Sequence, residues 1–246
     1  MNAGFAVAFS IAHRWGFCAG VSLPRVRGQA ATALPEIPDD ALAGLVAAER
    51  AHAGTLPPGR AVSWVGGRLA LRAALRALVA SGVSVDQQAP ILADDRGAPS
   101  LPAGVIGSIS HKDGLAVALV SAANAGAGWH AGVDLEDRRR SKQDIAARVL
   151  VDDERAAIAG LPQPARQLEV IVRFAVKEAV YKALDPILRR YVGFNEVSTR
   201  FEDGTWQVTF VPRPGEPSFI VEVDTLAAVA AVPDRILIAA RARRAG

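Results

Sequence analysis

Two short segments carry side chains that together could hold a hard cation and a polyphosphate. In Gly132-Val133-Asp134-Leu135-Glu136 the carboxylates stand at i and i+2, so on a strand they share one face while Val133 and Leu135 take the other. In Phe174-Ala175-Val176-Lys177-Glu178-Ala179-Val180-Tyr181-Lys182, apolar residues at 174, 176, 180 and 181, with Leu184 beyond, predict a helix free of Gly and Pro. Glu178 and Lys182 lie one turn apart on it and share a face. Magnesium takes oxygen ligands, usually a few carboxylates plus substrate phosphates, so Asp134, Glu136 and Glu178 could bind it and leave positions open. Lys177 and Lys182 would then offset phosphate charge. Phosphoryl-type transfers depend mainly on positioning and charge neutralisation. Taken singly, a D-x-E pair is commonly solvated and a K-E-x-x-x-K stretch is commonly a surface helix. Their conjunction is the informative feature.

The elements that must position these groups form two halves of mixed strand and helix. The first half has a helix over Trp64 to Ala80 and a Gly- and Pro-marked loop at 94–99. Strands follow at Ile106 to Ile109 and Leu115 to Ser121 around a turn at Lys112-Asp113-Gly114. The apolar run Gly4 to Ala12 reads as a buried strand. Asn124 to Gly128 reads as a flexible joint, dividing the chain into 1–123 and 124–246. The second half opens on a strand at Trp129 to Glu136. A helix follows from Asp152-Asp153-Glu154, then the long helix Ala165 to Leu184, ending near Asp185-Pro186. Strands at Thr205 to Val211, Phe219 to Val223 and Arg235 to Ala240 complete it. No short-period repeat is evident. Pattern by itself predicts an α+β protein of one or two domains.

G-V-D-L-E followed by F-x-x-K-E-A-x-x-K resembles the signature of 4'-phosphopantetheinyl transferases, specifically the longer surfactin- and enterobactin-type (Sfp/EntD-like) branch. Gly107-Ser108-Ile109-Ser110-His111-Lys112 resembles that branch's G-S-x-S-H element and lies upstream, as the family order requires. The stretch from Arg60 to Arg72 is similar to the family's G-R-x-x-A-R-x-A-L helix. The resemblance spans roughly Glu49 to Leu184. The first forty and last sixty residues carry little that matches. Ala175 departs from the usual Ser, Thr or Cys, and Phe174 replaces the commoner Trp.

The resemblance implies two similar α/β lobes related by a pseudo-twofold, with coenzyme A in the cleft between them. It implies transfer of the 4'-phosphopantetheine arm of coenzyme A to a serine of an acyl or peptidyl carrier protein, releasing adenosine 3',5'-bisphosphate. Magnesium, with manganese as an alternative, would be held by Asp134, Glu136 and Glu178. Glu178 is the candidate base and Lys182 the candidate stabiliser of the leaving group, with Lys177 orienting it. Arg60, Arg68, Arg96, Ser110 and His111 are candidate contacts to the phosphates of coenzyme A. Two alternatives stay open: a degenerate relative that binds coenzyme A or a carrier protein without transfer, and a magnesium-dependent pyrophosphate hydrolase.

With 246 residues, half of them apolar and 22% charged, the chain has a soluble globular profile. Its one cysteine, Cys18, excludes an intrachain disulfide and reads as a small buried hydrophobe. The absence of an export signal or a span of membrane length points to the cytoplasm. A net charge of +3, 6% aromatics and no nucleic-acid motif argue against nucleic-acid binding. Arg138-Arg139-Arg140 is most simply a solvated turn, or a steering patch for an acidic protein partner. His13, His52 and His130 lack metal-ligand spacing. A monomer is expected from the two-lobed resemblance.

Overall fold

Ala61, Val65, Ala70, Leu71, Ala74, Leu75 and Leu78 recur at helical spacing and are buried along a helix that organises the first of two units. The computed structural model describes residues 4–24, 37–123, 128–139, 145–226 and 231–246. It divides into Met1–Ala125 and Gly126–Gly246.

In the first unit, β1 (Val7–His13), β2 (Gly16–Ser22), β3 (Val105–Lys112) and β4 (Leu115–Ala122) form an antiparallel sheet in the order β1-β2-β4-β3. Helices α1 (Asp39–Ala43), α2 (Ala47–Ala53) and α3 (Pro58–Ala80) lie between β2 and β3 in sequence. The β3–β4 turn needs positive φ at both Asp113 and Gly114, the geometry that matches the right-handed twist of a two-residue hairpin. Ala19 and Val21 of β2, with Ala118 and Val120 of β4, pack against α3. Gly66 keeps that crossing close, since a Cβ there would fall 2.0 Å from a Leu23 methyl carbon. The run at 4–12 is corrected from a buried strand: β1 is an edge strand and Val7 is 53% exposed. Cys18 is fully buried, which pushes its thiol up to about 12 and leaves it unreactive.

In the second unit, β5 (His130–Asp137), β8 (Phe219–Thr225) and β9 (Arg235–Arg244) form an antiparallel sheet ordered β5-β9-β8, and β6 (Val197–Glu202) pairs with β7 (Thr205–Phe210). Helices α4 (Ala146–Val149), α5 (Asp152–Ile158) and α6 (Gln163–Leu188) precede β6. Ile171, Ala175, Ala179 and Ala183 of α6 pack with Ile236, Ile238 and Ala240 of β9. Gly132 of β5 sets the helix distance, because a Cβ there would meet the Ala179 carbonyl oxygen at 1.9 Å. Helix α6 continues two residues past Pro186 to Leu188, and its C-cap Arg189 lies in the left-handed region. Proline costs the helix one N–H bond, and in the last turn the buried face offsets that loss. Part of the expected joint, 124–127, and Arg140 lie outside the described residues. No helix among the described residues is long and apolar enough to cross a membrane.

Each unit is tied together by one buried glutamate. Glu49, the third residue of α2, accepts Nη2–H of Arg72 at 2.6 Å and the Ile91 amide at 2.8 Å on Oε1, and Nε–H of Arg72 at 2.8 Å and the Val46 amide at 3.2 Å on Oε2. Glu154, the third residue of α5, accepts the Thr199 amide at 2.7 Å and hydroxyl at 2.6 Å on Oε1, and Lys177 Nζ–H at 2.7 Å and the Val151 amide at 2.9 Å on Oε2. A short helix, a long helix and a returning segment therefore converge on one carboxylate in each unit. A buried charge pair that loses one partner leaves the other uncompensated, so Glu49→Gln and Glu154→Gln should each destabilise by about 3–5 kcal/mol. Gly132→Ala should cost about 3 kcal/mol by prising α6 from β5. Urea denaturation checks all three, and an unchanged midpoint in any one would refute that contact's role.

Candidate active site

The face of β5 that carries the carboxylates is fixed by Gly132. Gly132 abuts Ala179 of α6, and Asp134 and Glu136 follow at the same pleat parity, so both carboxylates lie on the helix side of the sheet. Both are buried, at 5% and 6% exposure. Lys182 of α6 closes the contact, donating to Asp134 Oδ1 at 2.7 Å and to the Val133 carbonyl at 3.0 Å. Its side chain keeps 25% exposure, so the ammonium is still open to a further anion. Glu178, half-buried, precedes Lys182 by one turn on the same side of α6. Ala175 sits fully buried in the α6 packing against the sheet.

Lys177 requires a correction. It was expected beside the phosphate, but five residues separate it from Lys182, about 140° around the helix axis. The two ammoniums therefore cannot serve one surface. Lys177 is 2% exposed and donates to Glu154 Oε2 at 2.7 Å, Val149 O at 2.9 Å and Phe194 O at 3.0 Å. An ammonium has three donors, and all are spent. Burial pulls its pKa below the ordinary lysine value, against the opposing pull of Glu154. Lys177 is a structural cation.

The remaining candidates lie in the first unit. Arg60 is exposed in the first turn of α3, which starts at Pro58, earlier than the expected Trp64. Arg68 is 2% exposed and donates through Nε to the Ile91 carbonyl at 2.6 Å. Burial takes its pKa down to about 10, with Glu49 opposing the shift. Arg96 is exposed in a turn where Asp94 Oδ1 accepts the amides of residues 96 and 98. Ser110 and His111 are consecutive on β3, so their side chains leave opposite faces: Ser110 is buried and His111 exposed. They do not form one contact patch.

Among the described residues, no three His, Cys, Asp or Glu side chains gather closely enough to hold a metal ion. The donor set still suits magnesium, which is commonly held by one or two carboxylates with water and substrate phosphates completing its shell. Asp134 and Glu136 are such a pair.

Residue-by-residue reading missed Glu49 and Glu154 as centres of buried networks. The available signal is Leu-Val-x-x-Glu-Arg, which stands at Leu45 to Arg50 and recurs at Leu150 to Arg155. The same offset relates Leu56-Pro57 to Leu161-Pro162, Arg68 to Arg173 and Arg72 to Lys177. The contacts repeat as well. Arg50 and Arg155 each donate Nη1–H to the carbonyl five residues earlier. The returning peptide gives its N–H to the glutamate and takes an arginine N–H on its carbonyl, at Ile91 in one unit and Thr199 in the other.

Comparison with known proteins agrees with both halves of this organisation. A profile of the 4'-phosphopantetheinyl transferase N-terminal domain matches residues 48–121, and one of the 4'-phosphopantetheinyl transferase superfamily matches residues 131–233. The chain is 34% identical over 188 residues to 4'-phosphopantetheinyl transferase Svp of Streptomyces mobaraensis, covering 74% of this chain and 72% of that protein. It is 34% identical over 127 residues to 4'-phosphopantetheinyl transferase PptT of Mycobacterium tuberculosis, covering 51% and 55%. With 4'-phosphopantetheinyl transferase Npt of Nocardia iowensis it shares 32% identity over 139 residues, covering 56% and 58%.

The structural assignment of Lys177 has its own test. Lys177→Met should lose about 3–5 kcal/mol of stability by stranding Glu154, and the double variant Glu154→Leu/Lys177→Met should recover part of it. Parent-like stability of the single variant would return Lys177 to the candidate phosphate contacts.

Proposed function

The chain belongs to the 4'-phosphopantetheinyl transferase family, and from that premise we propose that it transfers the 4'-phosphopantetheine arm of coenzyme A to a serine of an acyl or peptidyl carrier protein. Adenosine 3',5'-bisphosphate is the leaving product of this reading. The observation that carries it is the Asp134–Lys182 ion pair between β5 and α6, with Glu136 and Glu178 beside it by register.

Asp134 holds Lys182 at a defined point, so the ammonium meets an incoming phosphate without first being ordered. The exposed part of Lys182 offsets charge that builds on the leaving group. Glu178, directly or through a water, takes the proton of the attacking serine hydroxyl. Arg60, Arg68, Arg96, Ser110 and His111 are the proposed contacts to coenzyme A phosphates, and the Nε-only hydrogen bonding of the Arg68 guanidinium supports its inclusion. Of the expected ligands Asp134, Glu136 and Glu178, the first two would hold magnesium or manganese, whose charge would offset that of the pyrophosphate, while Glu178 stays the candidate base. The repeated glutamate–cation–arginine motif supports reading the units as two similar α/β lobes. A cytoplasmic monomer remains the expected form.

Intact-mass measurement of an apo carrier protein, incubated with this protein, coenzyme A and magnesium, tests the reaction. The carrier should gain one phosphopantetheine, and EDTA should abolish the gain. Asp134→Ala should lower transfer by about a hundredfold or more while leaving the circular dichroism spectrum unchanged. Bound coenzyme A with no carrier modified would favour a non-catalytic relative. Coenzyme A consumed without any carrier would favour a hydrolase.

A further inference from the structure

Arg68 and Arg173 occupy equivalent places in the two repeated networks, and they are neutralised differently. In the second unit, Arg173 donates through Nη1 to the Thr199 carbonyl at 2.6 Å and hydroxyl at 3.0 Å. Its Nη2 lies 3.5 Å from Glu169, the carboxylate one helical turn before it. Glu169 thus supplies a counter-charge from the same helix, while Nε of Arg173 is buried without a hydrogen bond and the Trp206 ring centroid lies 5.9 Å from its guanidinium carbon. In the first unit the equivalent position is Trp64. The Arg68 guanidinium carbon sits 4.4 Å from the Trp64 ring centroid, a cation–π contact.

The difference has a chemical consequence. A carboxylate binds the N–H edge of a guanidinium, whereas a ring binds its face and leaves the edge free. Nε–H of Arg68 is used by Ile91, and its Nη1 and Nη2 donate to nothing among the described residues. Glu49 cannot serve them, because both its oxygens are occupied by Arg72 and by the Ile91 and Val46 amides. Arg68 is 2% exposed, yet neither Nη group is among the buried side-chain atoms that lack a hydrogen bond, so this edge reaches solvent and can receive an anion. Trp64 carries a cost of its own, since its Nε1–H is buried without a hydrogen bond. A plain apolar residue would pack there without that cost. The His52 ring packs against the indole at 4.9 Å and helps fix its plane.

We propose that Trp64 is a positioning residue for coenzyme A: it holds the Arg68 guanidinium by its face, excludes a neutralising carboxylate, and leaves the Nη edge for a phosphate group. The proposal rests on the reading that Arg68 meets a phosphate of coenzyme A. Either the 3'-phosphate or the pyrophosphate offers that chemistry.

Steady-state transfer by the full chain, with coenzyme A and with 3'-dephospho-coenzyme A, tests it. Trp64→Glu installs the second unit's solution and should raise KM for coenzyme A about tenfold, with kcat within about twofold. Trp64→Gln, of the same shape but uncharged, should raise KM about threefold, and Trp64→Phe should restore most of the affinity. Arg68→Met should raise KM at least as far as Trp64→Glu. An effect lost with the dephospho substrate assigns the edge to the 3'-phosphate, and an effect retained assigns it to the pyrophosphate; both support the proposal. Unchanged KM in Trp64→Glu, with a raised KM in Arg68→Met, overturns the role of Trp64 alone. Unchanged KM in Arg68→Met overturns the reading of Arg68 beneath it. Should Trp64→Glu fail to fold, equal KM values for Trp64→Phe and Trp64→Leu would overturn the proposal.

Discussion

A carboxylate removed from water must have its lone pairs met, and Glu49 and Glu154 meet theirs with donors from three separate parts of the chain. One donor is the amide just ahead of the glutamate's own short helix. Another is a cation on the following long helix, and the last belongs to a segment returning from it. The condition is severe, because a missing donor strands a buried charge. Satisfying it sets the roll of α3 and α6 about their axes. Every other side chain on those helices then has a defined direction, which is how a structural network governs where the chemistry points.

The second unit shows the result along one helix. Fixing Lys177 toward Glu154 turns Lys182 toward β5, where Asp134 and the Val133 carbonyl receive it. Gly132 completes the arrangement by letting helix and strand approach closely enough for a lysine to bridge them. One lysine of the motif is consumed in holding the helix, and the other bridges helix and strand with its side chain 25% exposed. The first unit uses the same scheme with Arg72 in the holding role and Arg68 one turn before it. There the second cation is backed by an indole and left without a counter-ion on its edge.

Much of this was legible beforehand, for identifiable reasons. The long helices and most of the strands have strong periodicity, and the Asp113-Gly114 turn has the residue types its positive φ values require. Misses fell where local signals are weak. Strand β2, Gly-Phe-Cys-Ala-Gly-Val-Ser, has two glycines and no alternation, yet it is buried between two neighbours. Helices α1 and α2 are too short to show a period, and α2 exists to present Glu49. Strand β6 carries Thr199, the partner of Glu154. Pro186 reads as a stop by residue type, but the packing of α6 carries the helix two residues beyond it.

The sequence by itself determined the family, the order of its motifs and the set of charged residues available for chemistry, because these depend on residue type and spacing along the chain. It placed Asp134 and Glu136 on one face, since a two-residue strand period admits no other outcome. Only the tertiary structure decided which charges are working groups and which are girders. Lys177 and Lys182 are the same residue type in one motif, and Arg68 and Arg173 stand at equivalent positions of a repeat. Their roles separate through burial and partner supply: Lys177 has its three donors filled and Arg173 has a carboxylate, while Lys182 and Arg68 retain capacity for an anion. Charge belongs to the residue, but its availability depends on which neighbours the fold brings within hydrogen-bonding distance.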